Sequence, residues 1–111
     1  MSTAAASSPQ TEVLAAPRTR LAPLWNVVLL DDDDHTYQYV IEMLHRLFGY
    51  DPQRAYRLAC EVDEQGRVVL ATLLFEQAEF KQQQIHSYGR DWRLAHSKGS
   101  MTAVLEPVPR A

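Results

Sequence analysis

Trp25-Asn26-Val27-Val28-Leu29-Leu30 is a run of aromatic and branched side chains that ends abruptly in four aspartates. An apolar run of this length, cut off by strongly solvated residues, predicts a buried strand leading into an exposed loop. From Thr36 the period becomes helical: Val40, Met43, Leu44, Leu47 and Phe48 recur three and four residues apart. Gly49 marks the end of that helix. Asp51-Pro52 supplies an N-cap followed by proline at the first helical position. Ala55, Leu58, Ala59 and Val62 then form one face of a second helix, which stops before Gly66. Arg67 to Leu74 reads as a second strand. Glu76 to Tyr88 reads as a polar third helix, with Ala78, Phe80 and Ile85 as its few apolar members and Gly89 as its stop. A loop from Arg90 to Gly99 leads to a last strand over Met101 to Leu105, closed off by Pro107 and Pro109.

The predicted order is β-α-α-β-α-β. Three short strands are too few for a sandwich or barrel, so the expected fold class is α+β: a short three-stranded antiparallel sheet with helices packed on one face. Met1 to Leu24 is built from Ala, Ser, Thr and Pro with few large apolar groups. Such a segment buries too little surface to offset its ordering entropy, and a flexible N-terminal arm is expected over 1–24. The folded domain is then 25–106, with a short tail over 107–111.

Composition narrows the function. With 111 residues there is room for one domain, and 46% hydrophobic with 23% charged side chains is ordinary for a globular one. Removing Glu12 leaves 13 of the 14 acidic residues in 25–106, and removing Arg18, Arg20 and Arg110 leaves 8 of the 11 basic ones. The resulting net charge of −5 argues against nucleic acid as a partner, because phosphate binding relies on cations. Cys60 is the single cysteine, so no intrachain disulfide can form, and a buried, inert thiol is expected. No stretch approaches the length of a membrane span and no basic-then-apolar signal pattern opens the chain, so a cytoplasmic protein without membrane contact is expected.

The aspartates Asp31, Asp32, Asp33 and Asp34 are the most prominent candidate chemistry. Acidic clusters at strand ends hold Mg²⁺ in some enzymes, and a metal-dependent enzyme is one reading of this run. Against it stand the absence of a glycine-rich phosphate loop and of a partner lysine on a following strand. The competing reading is helix capping by Asp33 or Asp34, which satisfies free N–H groups but leaves four in a row unexplained. His35, His45, His86 and His96 lack zinc-site spacing, and no nucleophile–base pair is evident. On the third helix, Phe80 stands among Glu76, Glu79 and Lys81. It is either a core residue or part of a docking face for another protein.

Residues Trp25 to Val40 (WNVVLLDDDDHTYQYV) resemble the opening of the ClpS adaptors of the Clp protease. The similarity continues through Phe48-Gly49-Tyr50-Asp51, Ala55, Gln65-Gly66-Arg67, Glu76-Gln77-Ala78-Glu79-Phe80-Lys81 and Val104-Leu105-Glu106. The resemblance covers about 25–106. It implies a monomeric, non-enzymatic adaptor without metal or cofactor. Its partners would be the N-terminal domain of a Clp AAA+ unfoldase of the ClpA or ClpC kind and substrate proteins with exposed N-terminal residues. It also implies a site for the first residue of a substrate, an N-degron. The free α-amino group would meet Asp31, Asp32, Asp33 and Asp63 with His35 and Tyr37 beside them, and Val40, Ala59, Val62 and Met101 would line an apolar hole. Unfoldase binding would fall on Glu76, Glu79 and Lys81, and the arm would take the place of the segment that such adaptors present to the unfoldase. This chain departs from the family pattern, which usually has asparagine at Asp31, histidine at Asp63 and a large residue at Ala59. Two carboxylates replacing an amide and an imidazole predict stronger salt and acid sensitivity of amine binding. The alternative is a Clp-docking or general interaction module that has lost N-degron recognition.

Overall fold

The computed structural model describes residues 22–109; most of the expected arm and the last two residues of the expected tail lie outside the described residues. Strand β1 (Leu24–Leu30) runs between β2 (Arg67–Leu74) and β3 (Ala103–Pro107), antiparallel to both, in the order β2-β1-β3. Its central position explains why it reads as a continuous apolar run: Val27, Val28 and Leu29 are all fully buried. Val27 and Leu29 join the main core. Successive strand residues face opposite sides, so Val28 lies on the far face. There the Arg67–Glu106 ion pair crosses from one edge strand to the other above it, since Arg67 stands opposite Leu30 and Glu106 opposite Asn26. The register on the β2 side slips between Val27 and Val28.

Helices α1 (Tyr37–Phe48), α2 (Pro52–Gln65) and α3 (Phe75–His86) complete the expected α+β order. The ends of α1 and α2 follow local chemistry. The Thr36 hydroxyl accepts from the Tyr39 N–H at 3.2 Å, and the Asp51 carboxylate accepts from the Arg54 N–H at 2.8 Å. Gly49 and Gly66 close the two helices with φ of 71° and 82°, a conformation that costs other residues more than glycine. Buried Val40, Met43 and Leu44 of α1 meet Ala55, Ala59 and Val62 of α2 and the sheet in one core.

Three expectations need correction. The capping assigned to Asp33 or Asp34 belongs to Thr36. Helix α3 begins at Phe75 without a capping side chain and ends at His86, so Gly89 does not terminate it. The last strand starts two residues later than expected and runs to Pro107, because Met101 turns into the core before pairing begins. A proline fits there: β3 is an edge strand, and its missing N–H breaks no ladder bond. The polar face of α3 covers that same edge, with Gln82 Nε2 donating to the Ala103 carbonyl at 2.9 Å and the Ala103 N–H donating to His86 Nε2 at 3.0 Å.

Candidate functional site

The aspartate loop is anchored at both ends by backbone chemistry. At its start the Asp31 N–H donates to the Gly66 carbonyl at 3.0 Å, which brings Asp31 beside the last turn of α2. Asp32 turns inward: its Oδ1 accepts from the Asp34 N–H at 2.9 Å and lies 2.7 Å from His35 Nδ1. The other His35 nitrogen sits 2.7 Å from the Gly99 carbonyl, and the ring packs on Tyr39. Both nitrogens of His35 are thus engaged within the protein. Asp33 keeps an exposed position, while its backbone carbonyl lies 3.0 Å from His96 Nε2.

Across from this loop stands Asp63, exposed on α2. The Tyr37 hydroxyl donates to Asp63 Oδ2 at 2.6 Å, so the first turn of α1 holds a carboxylate of α2 in place. That bond, more than burial, pushes the Tyr37 hydroxyl above its ordinary titration range. Partial burial, followed by the charges of Asp63, Asp32 and Asp33, raises the Asp31 carboxyl above its usual range; a hydrogen bond from the Asp32 backbone offsets this only in part. The rim therefore carries a destabilising concentration of negative charge. Tyr56 flanks Tyr37 at a ring separation of 6.0 Å, with Cys60 close to both hydroxyls. Val40 follows Tyr37 by one turn of α1, and Ala59 precedes Asp63 by one turn of α2. Val40, Ala59, Val62 and Met101 expose at most 4% of their surface and lie within the main core.

One buried group organises the neighbourhood and had no sequence signal. Asp91, fully buried in the loop after α3, accepts from both the N–H and the hydroxyl of Thr36 at 2.7 Å. Its other oxygen accepts from the Arg93 N–H at 3.0 Å and guanidinium at 3.2 Å, and Arg93 reaches on to Glu42 at 3.0 Å. Burial works against ionisation here, but the Thr36 and Arg93 hydrogen bonds outweigh it and hold the Asp91 carboxyl down to about 2. This loop brings Gly99 to His35 and so fixes the aspartate turn. Among the described residues, no group of three or more His, Cys, Asp or Glu side chains is placed to hold a metal ion.

The second candidate surface lies on α3. Glu76 and Glu79 are exposed, and Phe80 exposes 57% of its surface, so it is not a core residue. Lys81 is half-buried: its ammonium donates to the Leu47 carbonyl at the end of α1 and lies 5.1 Å from the centre of the Phe48 ring. Leu73, Glu76, Gln77, Phe80 and Lys81 border an open depression of about 470 Å³.

The family model of the ATP-dependent Clp protease adaptor protein ClpS matches residues 20–96, well over half of the chain. This chain belongs to the ClpS family. Relatives agree along most of their length. The ATP-dependent Clp protease adapter protein ClpS of Vibrio atlanticus is 33% identical over 87 residues, covering 77% of this chain and 82% of that one. The ClpS of Pectobacterium carotovorum is 36% identical over 86 residues, covering 74% and 81%. The structure of Agrobacterium tumefaciens ClpS2 bound to L-phenylalaninamide superposes with a TM-score of 0.68 at 22% identity, covering 78% of this chain and 99% of that one; it shares the fold. ClpS proteins are adaptors rather than enzymes, and this chain is accordingly an adaptor of the ATP-dependent Clp protease. Among the described residues, no helix is long and apolar enough to cross a membrane.

Proposed function

We propose that this ClpS-family adaptor holds the free α-amino group of a substrate protein between Asp31 and Asp63, and presents that substrate to a Clp unfoldase through the α3 surface. The observation that carries the reading is the pair of acidic positions flanking one opening, one of them fixed by the Tyr37 hydroxyl. An α-ammonium is a cation at neutral pH. Placed at this rim it relieves the repulsion that raises Asp31 and forms charge-assisted hydrogen bonds with carboxylate oxygens. Asp33, exposed nearby, adds to the field that attracts it. Asp32 and His35 act from beneath, as the internal brace of the loop.

The first side chain then enters beside Tyr37 and packs on Val40, Ala59, Val62 and Met101. Ala59 is the small member of this set and leaves the most room. L-phenylalaninamide, the ligand in the Agrobacterium ClpS2 structure, combines a free amino group with a bulky apolar side chain, which is the chemistry this rim and floor suit. On the other surface, Glu76 and Glu79 offer charge around exposed Phe80, while Lys81 shapes the depression from its anchored position. We further assign the adaptor unit to 25–106, preceded by the arm and followed by the tail.

A second reading is favoured by one observation: the floor residues are sealed to within 4% of full burial. A Clp-docking protein without first-residue recognition would keep such a floor closed. Titration of the labelled protein with L-phenylalaninamide, followed by amide NMR, separates the two. The first reading predicts saturable shifts at Asp31, Tyr37, Val40 and Asp63 and none on α3. Unchanged spectra at high ligand excess contradict it.

A further inference from the structure

The depression on α3 does not end at Glu76. A second hollow of about 320 Å³ is lined by Ala22, Pro23, Leu74, Phe75, Glu76 and Gln77. Glu76 and Gln77 border both hollows, so one trough runs from Pro23, where the described chain begins, along the first turns of α3 to Phe80. Its apolar content is unusual for a free surface: Leu74, Phe75 and Phe80 expose 44%, 42% and 57% of their areas within this short stretch. Glu76 and Glu79 give its border an acidic charge.

The chain immediately upstream has matching chemistry. Arg18 and Arg20 are the only cationic side chains before Ala22, and Val13, Leu14 and Leu21 are the large apolar ones apart from Met1. We propose that residues 13–21 fold back into this trough, with Val13, Leu14 and Leu21 against Phe75 and Phe80 and Arg18 and Arg20 against Glu76 and Glu79. Geometry permits it. The eight steps from Leu14 to Ala22 span up to about 26 Å when extended, while Glu76 to Phe80 covers only about 6 Å along the helix. The segment is tethered where the trough starts, so its effective concentration is of millimolar order and weak contacts are enough to hold it. A segment too poor in apolar groups to build a core of its own can still lie in a preformed one.

The occupancy does not depend on the docking role assigned to α3. Where both hold, the segment and the unfoldase compete for one surface, and the adaptor is partly self-covered until it meets its partner. The test uses the full chain. Val13→Ser with Leu14→Ser removes the apolar contacts at positions remote in sequence from the trough, and Arg18→Glu with Arg20→Glu reverses the charges. Amide NMR is expected to show both double variants shifting Gln77 to Lys81 in the same direction, with Asp31 to Tyr37 unmoved. Identical spectra over Gln77 to Lys81 in the three proteins would overturn the proposal. Shifts that vanish on dilution would also overturn it, since they would mean that a second copy supplies the segment. Capture of the unfoldase by the same proteins is read separately, so an empty trough that still binds the unfoldase defeats this proposal alone.

Discussion

Asp31 is the residue where stability and binding pull in opposite directions. Its raised titration range means that its charge disfavours the folded state at neutral pH, first through partial burial and then through Asp63, Asp32 and Asp33. Asp31→Asn keeps the shape and removes the charge. Thermal unfolding at pH 7 is expected to show this variant more stable than the parent by no more than about 1 kcal/mol, given solvent screening. A carboxyl with a raised folded-state range regains its stability as the pH falls through that range, so the advantage of the variant disappears on acidification. The same variant should bind a free-amino peptide more weakly at pH 7, having lost a charge-assisted partner. A variant less stable than the parent at pH 7 would show that Asp31 is already neutralised inside the protein.

At the scale of elements, Asp91 links the loop after α3 to the first turn of α1, and through Gly99 to the aspartate turn. Asp91→Ala leaves the Thr36 N–H and the Arg93 guanidinium without their acceptor, and loss of several charge-assisted bonds costs on the order of 3 kcal/mol. Denaturant unfolding measures this directly. With its carboxyl held to about 2, Asp91 contributes fully above the ordinary carboxylate range, and the difference between parent and variant narrows as the pH falls from about 4 towards that value. None of this was legible in the sequence, because the Asp91–Thr36 contact joins residues 55 apart and no local pattern marks it. Elements with local signals were legible: the central strand from its unbroken apolar run, and α1 and α2 from their periodicity, Asp51-Pro52, Gly49 and Gly66. The end of α3 and the start of β3 were not, since Gln82, His86 and Met101 are placed by tertiary contacts with the sheet edge and the core. The aspartate run was visible as a feature, but its division into an inward Asp32 and an outward Asp31 and Asp33 depends on His35 and Gly66. Phe80 was equally balanced between core and surface by periodicity, and only packing decides it.

For the whole molecule, α1 sets the distance between the two surfaces. Tyr37 at its first turn belongs to the acidic rim, and the Leu47 carbonyl at its last turn receives Lys81 from the α3 depression. Its 12 residues place the two ends about 18 Å apart. A bound amino terminus and a docked unfoldase therefore need not exclude each other, which is what an adaptor requires. The account rests on the rim accepting a cationic amine. The most direct measurement is calorimetric titration, at pH 7 and low salt, of a short peptide beginning with Phe against the same peptide acetylated at its first nitrogen. Acetylation removes the charge and leaves the side chain unchanged, so the account predicts saturable binding of the free peptide and little or none of its acetylated twin; equal affinity for the two would contradict it.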